Sequence, residues 1–148
     1  MSHVTLIRPP MVILRLVQSR STCPPIGIAY LAASLREVNQ DVAVIDAVGE
    51  SIFEFTNINN GKNIAHGLTL DKVVEKIDPL TDFICISTMF SVEWVYDYEL
   101  IKKIKAKFPK TIIIVGGEHV TASSDWIINN CPEIDYCVLG EGEQKLVN

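Results

Sequence analysis

Two short stretches of this sequence place glycine, hydroxyl and ionisable side chains directly after apolar runs. Gly116-Gly117-Glu118-His119 follows four aliphatic residues, and Ser87-Thr88 closes the run FICIST. A glycine pair lets a ligand contact the main chain, because no Cβ is in the way, and it permits unusual backbone dihedral angles. The glycine stretch therefore predicts a binding loop, with a plain tight turn as the alternative. The hydroxyl stretch follows a second apolar run, so both stretches are expected at strand ends, where ligands bind in open α/β sheets.

The four cysteines lack the spacing of a metal or cluster site. Cys23, Cys85, Cys131 and Cys137 form neither a CxxC pair nor a CxxxCxxC triplet. Cys85 lies inside an apolar run, so we expect its side chain to pack in a core. The sequence therefore predicts no metal bound by cysteine and no [4Fe–4S] cluster within this chain.

Apolar runs and helical patterns alternate along the chain and position these stretches. The predicted strands are Val4–Arg8, Asp41–Asp46, Phe83–Ser87, Ile112–Val115 and Tyr136–Leu139. The predicted helices are Ile26–Val38, a short helix capped by Thr69, a long helix capped by Ser91, and a last helix from about Val120 to Asn130. Runs without alternation are typical of strands covered on both faces. The order predicts an α/β fold of three layers, a Rossmann-like five-stranded parallel sheet with helices on both faces.

One segment departs from this alternation. Residues 47 to about 68 show no clean periodicity and contain the turn-rich sequence NINNGKN. These features predict a long irregular excursion with a short helix near Ser51–Phe55. Loops of this length are usually functional or mobile.

Trp94 and Trp126 lie on the last two predicted helices, and both are expected to pack against the sheet rather than contact a ligand.

Length and composition exclude several classes of protein. A chain of 148 residues forms one domain of ordinary size. Hydrophobic residues make up 48% of it, but no apolar run approaches the ~18 residues that would span a membrane. A formal charge of −5 argues against a nucleic-acid partner. The first residues lack the basic and apolar regions of a signal peptide, so we expect a cytoplasmic protein.

The elements in their order resemble a known family. The series RPP … PPIGIAYLAASLRE … DVAVIDA … ICISTMFS … IIIVGGEHVTA … DYCVLGEGE is similar to the N-terminal cobalamin-binding domain of cobalamin-dependent radical S-adenosylmethionine enzymes. The resemblance covers nearly the whole chain, residues 1–148, and concerns the domain rather than a substrate. It implies a flavodoxin-like sheet of order 2-1-3-4-5, with cobalamin at the carboxyl edge and its nucleotide tail between the sheet and a flanking helix.

The resemblance also implies which residues contact the cofactor. Ser87 matches a serine that hydrogen-bonds the tail, and Gly116-Gly117 matches the pair along which the tail runs; a turn hydroxyl is the alternative for Ser87. A branched side chain at Gly117 is expected to fill that groove and leave the fold intact. Glu141 and Glu143 match a family loop that is interpreted as a junction or as a solvated turn. The candidate contacts are Pro9, Pro10, Met11, Ser87, Thr88, Gly116, Gly117, Glu118, His119 and Gly140.

The chain departs from the histidine-ligated members of the cobalamin-binding fold. Asp-x-His-x-x-Gly is missing after the first strand, where Met11–Leu14 is apolar instead; it is suited to covering a corrin face or to packing on a neighbouring domain. His3 precedes the first strand, and His66 lies in the irregular segment. His119 is the best placed histidine and can ligate cobalt, hydrogen-bond the tail or cap a helix. We expect base-off cobalamin without a protein histidine ligand.

The resemblance further implies a partner. Because the cluster-binding cysteine triplet is missing, the [4Fe–4S] cluster and S-adenosylmethionine are expected in a radical catalytic domain, present in cis or in trans. Cobalamin would there carry a methyl group from S-adenosylmethionine to a substrate radical. A receiver-like module is excluded, since Arg8-Pro9-Pro10 and Ser87-Thr88 replace the acids that it needs. A cofactor-free scaffold, docking through Met11–Val17 and residues 47–68, remains the alternative.

Overall fold

The computed structural model describes residues 1–16 and 22–147. The strands are β1 (His3–Arg8), β2 (Met11–Leu14), β3 (Asp41–Asp46), β4 (Phe55–Ile58), β5 (Asn63–His66), β6 (Phe83–Ser87), β7 (Ile112–Gly116) and β8 (Tyr136–Val138). The α-helices are α1 (Ile26–Glu37), α2 (Leu70–Lys76), α3 (Trp94–Lys107) and α4 (Glu118–Asn130).

Five of the strands form the parallel sheet that the sequence predicts. Its order is β3-β1-β6-β7-β8, and every neighbouring pair is parallel. Numbered along the sheet-forming strands alone, this is the predicted order 2-1-3-4-5. The register pairs Ser87 with Gly116, so the two stretches that the sequence singles out lie side by side where β6 and β7 end.

Alternating side chains of the central strands fill two cores on opposite faces of the sheet. On one face, Leu6 and Cys85 pack with Ile28 and Leu35 of α1. The other face buries residues of the three remaining helices. Its members include Ile84, Ile86, Ile113, Val115, Val73, Leu100, Ile101, Ile104 and Ile127. Burial on both faces explains why these strands show apolar runs rather than alternation, and it confirms the three-layer prediction.

The irregular segment was wrongly predicted, because it folds into a second sheet. Strands β2, β5 and β4 form a three-stranded antiparallel sheet in that order. A 3₁₀ turn at Gly49–Ser51 and strand β4 replace the predicted helix. The turn NNG, with positive φ at Asn59, Asn60 and Gly61, closes the β4–β5 hairpin, because asparagine and glycine tolerate that conformation. Each strand has only four residues, too few for a clear period.

The Met11–Leu14 run is therefore a strand of this small sheet. Val12 is buried, whereas Leu14 is exposed. The run pairs with β5, in the register Met11 with His66. Residue 17, the end of the predicted docking segment, lies outside the described residues.

Two predicted helix caps have different outcomes. The Thr69 hydroxyl accepts a hydrogen bond from the Lys72 N–H, so this cap is confirmed. Ser91 does not cap α3, which begins at Trp94 with Glu93 in the N-cap position and no side-chain cap. A turn over residues 91–93 intervenes, and it frees the Ser91 hydroxyl to contact another helix.

The two tryptophans also differ. Trp94 is 8% exposed and packs in the core, as predicted, whereas Trp126 is 56% exposed. The packing expectation for Trp126 is wrong because α4 turns this position outward while Val120 and Ile127 point inward. Within residues 1–16 and 22–147, no helix combines the length and apolar character needed to cross a membrane.

Leu100 tests the contribution of α3 to the core. Its side chain is fully buried, whereas Leu80 is 71% exposed. We expect Leu100→Ala to lower the free energy of unfolding by about 2–5 kcal/mol, because it leaves a cavity between α3 and the sheet. Leu80→Ala, the matched control, should change it by less than about 0.5 kcal/mol. Urea denaturation followed by circular dichroism measures both; equal effects would contradict this packing.

Candidate functional site: a groove between α1 and the strand ends

A groove of about 190 Å³ opens between α1 and the carboxyl ends of the parallel strands. Its floor comes from β1, β6 and β7, its wall from α1, and its far side from the loop after β8. The apolar lining residues are Leu6, Ile28, Leu31, Cys85, Ile86, Met89, Ile114, Val138 and Leu146. The polar lining residues and glycines are Gly27, Ser87, Gly116, Gly117, Glu118, Gly140, Glu141, Gly142 and Glu143.

Half of the predicted contacts line this groove. Ser87, Gly116, Gly117, Glu118 and Gly140 are all part of its lining. They come from three different loops, and the parallel register of β6, β7 and β8 brings them together. An apolar groove with a few convergent polar groups is typical of a small-molecule site.

Gly117 is required by the backbone. Its φ is +112°, and a Cβ at this position would lie 2.9 Å from the carbonyl carbon of Thr88 and closer still to the carbonyl oxygen. A side chain there would therefore strain the fold itself. This corrects the expectation that a branched residue at Gly117 would fill the groove and leave the fold intact.

Thr88 ties the two strand ends together instead of facing the groove. It is fully buried, and its backbone N–H donates to the Gly116 carbonyl at 2.7 Å. Its hydroxyl donates to the same carbonyl at 3.2 Å. Thr88 thus fixes the distance between the β6 and β7 exits, and it is not part of the groove lining.

Gly116 and Gly27 leave more room. A Cβ on Gly116 would meet the Val138 carbonyl oxygen at 3.5 Å, an ordinary contact distance. A Cβ on Gly27 would meet nothing within 4 Å, although Gly27 lines the groove. Gly27 is thus a position on the groove lining that accommodates a Cβ without a clash.

Sequence reasoning missed the contribution of α1 and the role of the last loop. Gly27, Leu31, Gly142 and Leu146 were not among the candidates, yet all line the groove. A signal existed for Gly27, because glycine inside a helix costs about 1 kcal/mol relative to alanine and often has a packing or functional reason. No comparable local signal marks Leu146.

The residues after β1 lie elsewhere. Pro9 and Pro10 are buried in the turn between β1 and β2, and Met11 begins β2. None of the three lines the groove. The structure therefore places these candidate contacts beside the small sheet.

His119 is held away from the groove lining by contacts with the start of α3. Its Nδ1 is 2.9 Å from the Ser91 hydroxyl, and its ring centroid is 4.8 Å from that of Trp94. Its Nε2 is buried without a hydrogen-bond partner. Burial lowers the pKa of this imidazole, so His119 is neutral at physiological pH.

The charged side chains of the groove are all acidic. Glu118, Glu141 and Glu143 contribute three carboxylates, and none of the lining residues is basic. The nearest cation on this loop is Lys145, whose Nζ donates to the Leu139 carbonyl. Glu118 is also the first residue of α4, where backbone N–H groups remain unpaired within the helix. Anions are therefore disfavoured at the acidic rim and favoured only near the start of α4.

Among residues 1–16 and 22–147, no group of three or more histidine, cysteine or acidic side chains is arranged to hold a metal ion.

Comparison with known proteins identifies the family of this fold and groove. The family model described as B12 binding domain matches residues 13–148. The chain therefore belongs to the B12-binding domain family. This confirms the cobalamin-binding assignment made from the ordered motifs.

Curated relatives are several times longer than this chain. It is 35% identical over 124 residues to "Uncharacterized methyltransferase PH0819" of Pyrococcus horikoshii, covering 83% of this chain and 23% of the relative. It is 27% identical to "Cytidylyl-2-hydroxyethylphosphonate methyltransferase" of Streptomyces wedmorensis, and the match covers 97% of this chain and 27% of the relative. It is 28% identical to "Anaerobic magnesium-protoporphyrin IX monomethyl ester cyclase" of Cereibacter sphaeroides, and the match covers 84% of this chain and 18% of the relative. The chain thus spans about a quarter or less of each relative.

Solved structures show the same architecture. A response regulator from Thermotoga maritima superposes with a TM-score of 0.56 at 13% identity, covering 99% of this chain and 92% of that one. A CheY-like protein from Pseudomonas aeruginosa PAO1 superposes with a TM-score of 0.56 at 11% identity, and the match covers 99% of this chain and 96% of that one. These similarities confirm the flavodoxin-like fold.

Gly117 and Gly116 give a matched pair of substitutions. We expect Gly117→Ala to cost about 1–3 kcal/mol of stability or more, because the residue must keep a positive φ beside the Thr88 carbonyl. Gly116→Ala should cost less than about 1 kcal/mol, since its Cβ meets only ordinary contacts. Thermal and urea unfolding of both variants measures the difference. A Gly117→Ala protein as stable as the wild type would show that the close approach is relieved by a small backbone shift.

Proposed function

We propose that this chain is the cobalamin-binding module of a larger enzyme and that the groove beside α1 receives the nucleotide tail of cobalamin. The observation that carries the proposal is this groove, which lies in a B12-binding domain at the carboxyl edge of a parallel sheet. In open α/β sheets ligands bind at that edge. A tail base bound there would be separated from cobalt, which is the base-off state.

The groove fits the flat base of the tail better than the whole nucleotide. Its volume of about 190 Å³ exceeds the ~150 Å³ of an engineered cavity that binds benzene, but it is below the ~300 Å³ at which drug-sized sites begin. Apolar side chains line both walls, and Gly27 and Gly116 leave space between them. An aromatic ring in this position would pack against the aliphatic walls.

The acidic rim constrains where the rest of the tail runs. A phosphate beside Glu141 and Glu143 would be repelled, whereas the Ser87 hydroxyl and the backbone N–H groups at the start of α4 are donors. We therefore place the base inside the groove and the phosphate toward the Ser87 hydroxyl and the first backbone N–H groups of α4, where one carboxylate, that of Glu118, opposes it instead of two. Ser87 then orients the tail by donating a hydrogen bond.

The partner in this proposal is a radical S-adenosylmethionine domain that supplies the reaction. When bound, cobalamin would provide a carrier for a methyl group. Two of the relatives are named as methyltransferases, and the chain covers only part of their length. The contribution of this chain would be to bind and orient the cofactor, because neither a nucleophile with its base nor a metal cluster is found among the groove residues.

Gly27→Leu tests the groove directly. Gly27 lines the groove, a Cβ at this position has open space around it, and leucine is a better helix former than glycine. We expect this variant to fold and to lose cobalamin affinity by roughly tenfold or more. Corrin absorbance that co-elutes with the protein in gel filtration, followed by a titration, measures the loss.

Ala29→Leu is the matched control, because Ala29 lies exposed on the same helix and outside the groove lining. It should bind cobalamin like the wild type. Wild-type protein that binds no cobalamin would favour the alternative, a cofactor-free scaffold. Binding by Gly27→Leu at wild-type affinity would place the tail elsewhere.

Electron paramagnetic resonance of the Co(II) form tests the ligand state. With the base in the groove and His119 held by Ser91 and Trp94, we expect no nitrogen superhyperfine splitting. His119→Ala should give the same spectrum as the wild type. Splitting that disappears in His119→Ala would identify His119 as a cobalt ligand.

A further inference from the structure

Two acidic side chains are buried at the start of α3, away from the groove. Glu93 is 9% exposed and Asp97 is 1% exposed. They are four residues apart, so they lie one turn apart on the same side of the helix. Buried carboxylates are costly unless they are paired or hydrogen-bonded, and this pair therefore needs an explanation that the groove does not provide.

Glu93 connects the helix to the small sheet. Its Oε1 accepts a hydrogen bond of 3.1 Å from the Val12 backbone N–H, and this bond is buried. Strand β2 is an edge strand, and its other edge pairs with β5. Glu93 thus occupies the hydrogen-bonding position that a further strand would fill, and it holds β2 against α3.

Asp97 lacks such compensation. Its Oδ1 is buried and has no hydrogen-bond partner. The neighbouring carboxyl of Glu93 disfavours a second negative charge, and no cation is paired with Asp97 among the ion pairs of the described residues. The geometry is thus suited to one negative charge on the two carboxyls, not to two.

We propose that the Glu93–Asp97 pair controls, through a single proton, how firmly the small sheet is held against α3. With one proton on the pair, Glu93 is the acceptor for Val12 and Asp97 is neutral. Loss of that proton places two buried negative charges one turn apart. The bond from Val12 to Glu93 then opens, because moving Glu93 into solvent relieves the repulsion.

The position of the proton follows from the surroundings of each carboxyl. Burial, together with the charge of Glu93, raises the pKa of Asp97 to about 8. Burial also raises the pKa of Glu93, but the Val12 N–H and the Arg8 guanidinium oppose this rise. The proton shared by the pair therefore resides on Asp97 rather than on Glu93.

The other charged groups around the pair are engaged elsewhere. Arg8 lies 3.3 Å from Asp46 and donates to the Cys23 carbonyl. The titratable residue of the small sheet, His66, is on the face opposite to Val12, since strand neighbours alternate, and its Nε2 contacts the Ile52 carbonyl. Several other titratable groups on α3 and on the helices beside it have partners of their own: Asp71 of α2 pairs with Lys103, Lys105 pairs with Asp135, Tyr98 donates to Glu133, and His119 of α4 is bound to Ser91. Tyr96 of α3 is half-buried, and Glu99 of α3 is exposed.

The proposal sets the direction of a pH effect. An unfolded aspartate has a pKa of ~3.9, so the folded protein holds the Asp97 proton more tightly than the unfolded chain does. Stability from this group is complete below about pH 4 and is lost as pH rises to about 8. Above that pH the effect is constant. The affected region is β2 and the turn before it, which contains Pro9 and Pro10.

The experiment compares wild type with Asp97→Asn and Glu93→Gln in the full chain. The Asp97 carboxyl, followed by ¹³C NMR, should titrate with a midpoint of about 8 in the wild type. In Glu93→Gln, which retains an acceptor for Val12, that midpoint should fall. Glu99→Gln, an exposed change on the same helix, should leave it unchanged.

Hydrogen exchange then reports on the strand itself. Between pH 6 and pH 9, the Val12 amide of the wild type should lose roughly tenfold more protection than the same amide in Asp97→Asn. A titration midpoint near 4, or identical exchange profiles in the two proteins, would overturn the proposal. If Asp97→Asn does not fold, an unshifted Asp97 midpoint in Glu93→Gln would overturn it as well.

Discussion

The groove depends on the close approach of two strand ends. The Thr88 N–H donates to the Gly116 carbonyl at 2.7 Å, and Gly117 passes the Thr88 carbonyl at a distance that excludes any side chain. This contact fixes where α4 begins and turns Gly116 and Ser87 toward α1. If the two exits were further apart, the apolar walls and the hydroxyl would not face one another. A buried threonine and a glycine with positive φ therefore act together as a structural unit.

The two faces of the parallel sheet are covered to different extents. The face beneath α2, α3 and α4 is a continuous core of aliphatic side chains. The face beneath α1 is covered less completely, because the core there gives way to the groove at the carboxyl edge. A single helix and the last loop thus form one side of the site, while the close-packed core on the opposite face supports the strands.

The small antiparallel sheet explains how the carboxyl edge is built on its other side. Strand β2 follows β1 after only Pro9 and Pro10, and Arg8 at the end of β1 contacts Asp46 and the Cys23 carbonyl. The ends of β1 and β3 and the segment before α1 are therefore joined by one guanidinium. Glu93 adds the loop after β6 through its bond to Val12. Polar contacts hold this region, in contrast to the apolar packing below it.

The sequence alone determined the parallel sheet and five of the residues that line the groove. Short aliphatic runs followed by turn residues are typical of strands buried on both faces, and glycines or hydroxyls directly after such strands lie at the carboxyl edge. Tertiary structure decided the rest. The four-residue strands of the small sheet are too short to show a hydrophobic period. The Ser91 hydroxyl hydrogen-bonds to His119 instead of capping α3. Gly27 and Leu146 reach the groove only because α1 and the last loop pack over the sheet. A glycine in a helix is a weak local signal for Gly27, whereas the distant contact of Leu146 leaves no local pattern in the sequence.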